Sequence, residues 1–267
     1  MQYLRARWYD PATARFIGED SYEGELTNPL SLNLYTYVQN NPLRFIDPSG
    51  HIPTTMEAAL MAQHIYGATY DDVERKTTLD GGWTIIEIMT NEEGLKMGVY
   101  SRFKDDGTTE YSLVNKGTTT AGDWGNNFQQ PLGFSTDMED SIKKSTTFVN
   151  AHKDNEITMV GHSKGGAEAT ANAVASNKNA ITFNTALVHL YAYDLSKSSY
   201  TANMTHYVVK GEILNHIFTA PSIGKTVYLP QQHKIKWWHN GWYVNNQRIK
   251  NHSMDSVINA LKEGGYN

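Results

Sequence analysis

A serine in a glycine-rich turn is the residue whose surroundings point most clearly to chemistry. Residues 161–165 read GHSKG and place Ser163 between an apolar run and an alanine-rich run. A serine hydroxyl is a weak nucleophile, so it must be presented to a base on a sharp turn between a strand and a helix. That turn needs small residues two positions away on either side, and Gly161 and Gly165 supply them. The pattern predicts nucleophilic acyl transfer at Ser163 rather than an ordinary glycine-rich turn.

A histidine later in the chain must act as the base for such a serine. We favour His252, which lies in a predicted loop just before the last predicted helix. His233 and His239 are alternatives, but they flank a basic and aromatic stretch at 234–238 and have a weaker positional case.

Two carboxylates are candidates for orienting that histidine, and both satisfy the chain order nucleophile, acid, histidine. Glu212 follows a predicted strand at 206–209, whose mainly apolar residues suit the interior of a sheet. Gly211, directly before Glu212, would permit the bend that turns the carboxylate toward the histidine. Asp194 follows a run of mixed aromatic and apolar residues, which suits an edge strand or a connection. We therefore favour Glu212 as the acid and keep Asp194 as the alternative.

Backbone N–H groups must stabilise the oxyanion that forms during acyl transfer. Lys164 directly follows Ser163 at the start of a helix, so its N–H is one candidate donor. The second donor should come from a loop after an earlier strand. Residues 113–120 (LVNKGTTT) supply such a strand, a glycine for close approach, and Thr118, whose N–H is our candidate.

Strands and helices must position these residues. They alternate after residue 110, which favours an α/β fold with a mainly parallel sheet and helices on its faces. Earlier in the chain, two strands joined through residues 91–94 predict a hairpin. The predicted helices are 55–67, 136–151, 167–176 and 254–261, and the predicted strands are 83–89, 95–103, 111–115, 156–160, 181–184, 188–193 and 206–209.

Residues 1–50 differ in composition from the rest of the chain. Turn-forming residues recur at short intervals and separate strand-like pieces such as 34–38 (LYTYV). This segment is too short and too interrupted to hold a core, so we interpret it as the end of a larger β-structure or as an arm.

The overall composition excludes several classes of site. The 267 residues carry a net charge of −5, which gives no general electrostatic reason to bind nucleic acid. The absence of cysteine excludes disulfides, a thiol nucleophile and cysteine-ligated metals. No metal-binding or phosphate-binding motif is present, so we expect neither a metal nor a cofactor. We also find no apolar run long enough to cross a membrane and no secretory signal.

One basic and aromatic stretch stands apart from this composition. Residues 234–239 (KIKWWH), with Trp242 and Tyr243 after them, could contact single-stranded nucleic acid or a lipid headgroup region. Such a stretch is more often an edge strand packed over the core, and that is the interpretation we favour from sequence alone.

Residues 113–252 resemble the α/β-hydrolase fold of class 3 lipases and related bacterial lipase-like domains. The matching segments are 116–118 (KGT), 123–126 (DWGN), 161–166 (GHSKGG) and 208–212 (VVKGE). They resemble the family's oxyanion loop, its downstream Asp-Trp pair, its nucleophile elbow and the strand before its catalytic acid. The departures are Lys116 for arginine, Lys164 for an apolar residue and Glu212 for aspartate. A glutamate can do the work of an aspartate in this position.

Residues 1–51 resemble the end of an Rhs (YD-repeat) core. The resemblance rests on 3–11 (YLRARWYDP), 33–37 (NLYTY) and 41–43 (NPL). Paired Asp-Pro-x-Gly motifs serve self-cleavage in that family. Here their aspartates would be Asp20 and Asp47, with the cut after His51, although Ser21 replaces the first proline.

Together the two resemblances imply an Rhs core fragment at 1–51 and a lipase-like toxin domain at 52–267. They imply a phospholipase, with no cofactor, that is injected without a signal peptide and acts on the membranes of rival bacteria. A cognate immunity protein would be its partner. The alternatives are a catalytically inactive hydrolase-fold binding module and a nuclease toxin, and the acidic balance disfavours the nuclease.

Overall fold

A computed structural model describes residues 2–4, 7–10, 12–13, 15–18, 53–104, 107–118, 136–214, 223–236, 238 and 240–266. The chain divides into two compact units. One comprises Met1–Ile52 with Phe103–Glu110, and the other comprises Pro53–Arg102 with Tyr111–Asn267. The expected boundary after residue 51 stays a prediction.

The N-terminal unit contains three short antiparallel strands: β1 (Gln2–Leu4), β2 (Arg7–Asp10) and β3 (Arg15–Phe16). The Asp10 carboxylate accepts hydrogen bonds from the Ala12 N–H and the Thr13 hydroxyl, so it stabilises the turn between β2 and β3. The predicted strand at 34–38 and the aspartates Asp20 and Asp47 lie outside the described residues.

A seven-stranded sheet forms the centre of the larger unit, in the order β10-β9-β8-β7-β6-β5-β4. β6 to β10 are parallel, whereas β4 and β5 form the antiparallel hairpin expected from the turn at 91–94. The strands are β4 (Thr84–Thr90), β5 (Lys96–Phe103), β6 (Thr109–Asn115), β7 (Ile157–His162), β8 (Asn179–Phe183), β9 (Met204–Val209) and β10 (Lys225–Leu229). The mainly parallel sheet expected from the sequence is confirmed.

Six α-helices have both of their ends among the described residues: α1 (Thr55–Gly67), α2 (Tyr70–Glu74), α3 (Thr136–Ala151), α4 (Lys164–Ser176), α5 (Gly241–His252) and α6 (Met254–Glu263). α1 begins with a capping box, in which Thr54 and Glu57 satisfy each other's backbone N–H groups. α4 packs on β7 and β8, α3 packs on α4, and α1 packs on β7 and α6. None of the helices in the described ranges is long and apolar enough to cross a membrane.

The core lies around the middle strands. All six residues of β7 are buried, as expected for a strand covered on both faces. Met159 of β7 belongs to a cluster that includes Val99 of β5, Leu113 of β6 and Ala173 of α4. The parallel strands of this core end at one edge of the sheet, where ligands bind in open α/β sheets.

Three expectations from the sequence are wrong. The run at 188–193 contains no strand, because residues Leu190–Tyr193 form a short 3-10 helix. Residues 234–238 are not an edge strand, since no described residue among them is in a strand. His252 does not lie in a loop but ends α5, a helix that the weak apolar periodicity of its residues did not indicate. The strand β10 was also missed.

Candidate active site

Ser163 lies on a strained turn between β7 and α4. Its backbone has φ 59° and ψ −126°, a conformation that L-residues rarely adopt. A Cβ on Gly161 would lie 2.1 Å from the carbonyl oxygen of Gly165, and a Cβ on Gly165 would lie 2.2 Å from that of Asn115. Only glycine fits at either position, so the sequence signature corresponds to a physical requirement of the turn.

Main-chain hydrogen bonds hold the turn in place. The Ser163 N–H donates to the Phe183 carbonyl over 3.1 Å, and the Ser163 carbonyl accepts from the N–H groups of Gly166 and Ala186, each over 3.0 Å. The Ser163 hydroxyl is buried, and among the described residues it has no hydrogen-bond partner. A buried polar group that is left unsatisfied on a fixed turn is typical of a functional group rather than a structural one.

Glu212 and His252 form a buried pair. The distance between Oε2 of Glu212 and Nδ1 of His252 is 2.6 Å, and the same oxygen accepts a hydrogen bond from the Leu214 N–H over 2.9 Å. Because an ionised carboxylate only accepts, Nδ1 carries the proton, and Nε2 is then the ring nitrogen that can act as a base.

The neighbours of Ser163 bring the His252 main chain to the turn. The His162 ring centroid lies 4.8 Å from that of His252, and Nε2 of His162 donates to the His252 carbonyl over 2.7 Å. Asn184, directly after β8, donates to the carbonyls of Asn251 and His252 over 3.2 and 3.0 Å. The ends of β7 and β8 therefore fix the end of α5 beside the serine.

Tyr66 of α1 connects three parts of this site. Its hydroxyl contacts Nδ1 of His162 over 2.7 Å and accepts a hydrogen bond from the Gly117 N–H. The His252 carbonyl can only accept, so Nε2 of His162 carries the proton, Nδ1 accepts, and Tyr66 must donate to it. Burial lowers the pKa of His162 to about 3, so the ring is neutral.

Tyr66 was missed by the sequence analysis. It lies 96 residues before its partner His162, inside a helix whose pattern predicts only packing. No local signal marks such a residue, because its role comes entirely from contacts between distant segments.

The loop after β6 lies against the serine. A Cβ on Gly117 would come within 3.0 Å of the Ser163 Cβ. The Gly117 N–H is engaged by Tyr66, so the next N–H, that of the exposed Thr118, is the candidate oxyanion donor from this loop. Lys164 opens α4, where the first N–H groups have no acceptor within the helix, so its N–H is the second candidate.

The Lys164 side chain, unlike its backbone N–H, is bound to two acidic side chains. Its Nζ pairs with the Asp137 carboxylate of α3 and with Glu168, four residues further along α4, at 3.4 Å. Burial acts to lower the pKa of Lys164, but Glu168 and Asp137 outweigh it, so the pKa is raised and the lysine is charged. Lys164 departs from the apolar residue of the family that the sequence resembles, and its two acidic partners explain the lysine.

Glu168 is the buried member of this cluster. Burial raises its pKa to about 7, although Lys164 and the Asn115 amide act in the opposite direction. The Asn115 side chain donates to Glu168 over 2.9 Å and to Ser141 over 2.8 Å. The cluster therefore links β6, α3 and α4 directly behind the turn.

The other candidates lie elsewhere. Asp194 is exposed at the end of the 3-10 helix Leu190–Tyr193, whereas Glu212 is the carboxylate that contacts His252. The His233 main chain, not its ring, is bonded to the Asn251 side chain. His239 and the segment 123–126 lie outside the described residues.

Comparison with known proteins identifies a matching family and structures with a similar fold. A family model described as phospholipase-like, a Tle-like phospholipase domain, matches residues 57–241. The match includes Ser163 and Glu212 and ends before His252. The native Rhizomucor miehei lipase, solved as a propeptide complex, is similar in structure with a TM-score of 0.51 and 15% identity, over 64% of this chain and 66% of that chain. Together with the mainly parallel sheet, this confirms the α/β-hydrolase fold.

Two further matches are more distant or shorter. A triacylglycerol lipase from Penicillium expansum matches with a TM-score of 0.44 and 13% identity, over 66% of this chain and 78% of that chain. The tRNA(Glu)-specific nuclease WapA of Bacillus subtilis subsp. natto is 41% identical over 51 residues. That match spans 19% of this chain but only 2% of WapA, and the chain spans just under two thirds of the Rhizomucor lipase.

Proposed function

Since the chain belongs to the Tle-like phospholipase family and is a lipase-type hydrolase, we propose that it cleaves ester bonds of membrane phospholipids through an acyl-enzyme on Ser163. The observation that carries the proposal is the buried Glu212–His252 pair. The main chain of His252 is fixed beside the strained turn that bears Ser163. A histidine oriented by a carboxylate next to a serine on such a turn is the arrangement that activates a hydroxyl for acyl transfer.

The reaction proceeds in two halves. Nε2 of His252 takes the proton as the Ser163 oxygen attacks the ester carbonyl carbon, and Glu212 stabilises the imidazolium that forms. The N–H groups of Thr118 and Lys164 stabilise the oxyanion. His252 then gives the proton to the departing alcohol oxygen as its bond to the carbonyl carbon breaks. Water attacks the acyl-enzyme by the same route, which releases a fatty acid and restores the serine.

The test compares Ser163→Ala with Ser145→Ala. Ser145 is a matched control, since it is also a buried serine, but its hydroxyl donates a hydrogen bond within α3, to the Ile142 carbonyl. We expect Ser163→Ala to lower turnover of a soluble short-chain ester, and fatty-acid release from phospholipid vesicles, by at least about 10³-fold. Ser145→Ala should stay near the wild type, with fatty acids identified by mass spectrometry.

Two outcomes would contradict the proposal. Wild-type turnover by folded Ser163→Ala would remove the serine from the mechanism. A folded wild-type chain that releases no fatty acid from any phospholipid or soluble ester would instead favour a binding module with an inactive hydrolase fold.

The biological setting is part of the same proposal. We propose that residues 1–51 derive from an Rhs core and that residues 52–267 are the toxin domain, delivered to rival bacteria and neutralised by a cognate immunity protein. The sequence signatures of residues 1–51 support this origin, and short antiparallel strands in β1 to β3 suit it. A chain that starts at Ile52 and still unfolds cooperatively would support the boundary, whereas an insoluble product would argue against it.

A further inference from the structure

The segment between the acid and the end of α5 has an unusual charge distribution. Residues 213–254 contain five lysines and arginines and no aspartate or glutamate. The rest of the chain has 18 basic against 28 acidic residues. Because it lacks acidic residues, this segment has a net positive charge within a chain that is acidic overall, and it carries His252.

Aromatic side chains are exposed in the same segment. Trp238 is 61% exposed, Trp242 75% and Tyr243 40%. Lys234 and Lys236 are also exposed, and the Lys236 ammonium lies 4.9 Å from the centroid of the Trp238 ring. We call these five residues, Lys234, Lys236, Trp238, Trp242 and Tyr243, the basic-aromatic surface.

Contacts anchor this surface close to the active site. A Cβ on Gly211 would lie 3.4 Å from Cδ1 of Ile235, so the loop that carries Lys234 and Lys236 packs beside the turn before Glu212. The Asn251 side chain accepts from the N–H of His233 and donates to its carbonyl, which ties the same loop to the residue before His252.

Helix α5 provides the second connection. Trp242 and Tyr243 lie in its first turn, and His252 is its last residue. At a rise of 1.5 Å per residue, the aromatic end lies roughly 15 Å from the histidine along the helix axis. The distance is short enough for one membrane contact to involve both the aromatic rings and the lipid that enters the site.

We propose that the basic-aromatic surface docks the protein on anionic phospholipid bilayers and thereby places the active site at the membrane. Lysines next to an anionic lipid surface gain electrostatic energy, and tryptophan and tyrosine rings settle at the boundary between headgroups and acyl chains. The exposed aromatics and neighbouring lysines match both layers of such a surface, and no acidic residue within 213–254 opposes it. The purpose of the docking rests on the proposed phospholipase function, but the binding itself does not.

Single-stranded nucleic acid is the competing occupant, because it also combines phosphates with stacking bases. The acidic excess in the rest of the chain disfavours a polyanion that would extend beyond the surface. A bilayer contacts one face only, and the proximity of the surface to a site for ester hydrolysis favours the lipid.

Vesicle sedimentation tests the docking directly. The full chain carries Ser163→Ala so that the vesicles stay intact, and binding is compared between phosphatidylcholine vesicles and mixed phosphatidylcholine–phosphatidylglycerol vesicles. The mixed vesicles should bind more tightly, and the difference should shrink as salt is added. Lys234→Gln with Lys236→Gln should weaken binding to the mixed vesicles roughly 25-fold, at about fivefold for each lysine.

Matched controls separate this surface from general charge and hydrophobicity. Lys143 and Lys153 are exposed lysines outside the segment, so Lys143→Gln with Lys153→Gln should change binding by less than about twofold. Trp238→Ala with Trp242→Ala should weaken binding to both kinds of vesicle. The control substitutions Tyr70→Ala with Tyr191→Ala remove exposed aromatic rings elsewhere and should have little effect on binding.

The outcomes distinguish the docking from the phospholipase function. In the active chain, Lys234→Gln with Lys236→Gln should lower the ratio of vesicle hydrolysis to soluble-ester hydrolysis. A wild type that hydrolyses no ester but still binds the mixed vesicles through these lysines would refute the function and keep the docking. Equal vesicle binding by the surface and control variants would overturn the docking. Surface variants that lose binding to a single-stranded oligonucleotide but keep full binding to the vesicles would overturn it as well.

Discussion

Replacing Glu212 with glutamine tests whether the buried carboxylate assists catalysis through its charge. In the structure Oε2 accepts from both the Nδ1–H of His252 and the Leu214 N–H. An amide nitrogen at that position would face the Leu214 N–H, donor against donor, so the glutamine should place its oxygen there. Glu212→Gln therefore keeps these two hydrogen bonds and the histidine tautomer but removes the negative charge.

The magnitude of the effect follows from that geometry. With Nδ1 and Oε2 2.6 Å apart, the charge centres of imidazolium and carboxylate lie about 4 Å apart. At an effective dielectric constant of about 20, their attraction is about 4 kcal/mol. This attraction exists only when the imidazolium has formed, so its loss falls on the transition state and lowers kcat roughly 10³-fold. A loss nearer 10⁴ would indicate that the tautomer changes as well.

The assay measures kcat with a soluble short-chain ester, alongside a thermal melt that establishes folding. Asp194→Asn is the matched control, since it makes the same change of acid to amide at the alternative carboxylate. Asp194 is exposed and has φ 55°, a conformation that asparagine tolerates, so this variant should stay within about twofold of the wild type.

Two results would refute the reasoning about the acid. Folded Glu212→Gln with kcat within about tenfold of the wild type would show that the carboxylate charge is not used. A loss of about 10³ in Asp194→Asn would show that the other carboxylate is the acid. The serine mechanism itself would survive the second result.

Three further predictions concern the surroundings of the site. Tyr66→Phe leaves the Gly117 N–H and Nδ1 of His162 without their partner, so the free energy of unfolding in urea should fall by about 2–4 kcal/mol; an unchanged value would contradict the linking role of the hydroxyl. Thr118→Pro removes a backbone donor and should lower kcat by about 10²–10³, whereas Thr118→Ala should change it little; a proline variant with normal kcat would exclude this N–H. Burial raises the pKa of Glu168 from 4.5 to about 7, so the folded chain retains a proton that the unfolded chain releases. Wild-type stability should therefore fall as the pH rises from about 4.5 to about 7, by up to about 3 kcal/mol, and urea unfolding of Glu168→Gln should lack this part of the fall. Parallel pH profiles for the two chains would refute the assignment.

Local patterns in the sequence were enough to predict much of the architecture. The helix at 55–67, the hairpin of β4 and β5 and the helix at 136–151 were predicted close to their observed bounds, and the fold class is confirmed. The turn at Ser163 was also predicted, because its two glycines are required by contacts within a few residues and with the adjacent strand. Signals of this kind survive in a linear sequence since the residues that meet are near one another or follow a regular period.

Other features were decided only by the tertiary structure. Chain order left Glu212 and Asp194 equally possible as the acid. The structure distinguishes them, because Glu212 contacts His252 across 40 residues of sequence. The catalytic role of either carboxylate stays a prediction. The run before Asp194 was predicted as a strand and forms a 3-10 helix, because apolar and aromatic residues suit either structure until packing selects one.

The role of Tyr66 and the exposure of the basic-aromatic surface were also decided by the tertiary structure. Tyr66 has the pattern of a helical packing residue, and only the meeting of α1 with β7 makes it a hydrogen-bonding link. The basic and aromatic stretch around Lys236 and Trp242 has the composition of an edge strand. Lys236 nevertheless lies on a loop and Trp242 on a helix, and both side chains are exposed. Residue type and spacing determine which elements can form, whereas burial and long-range contact depend on which surfaces those elements cover, and that choice is made by the whole chain at once.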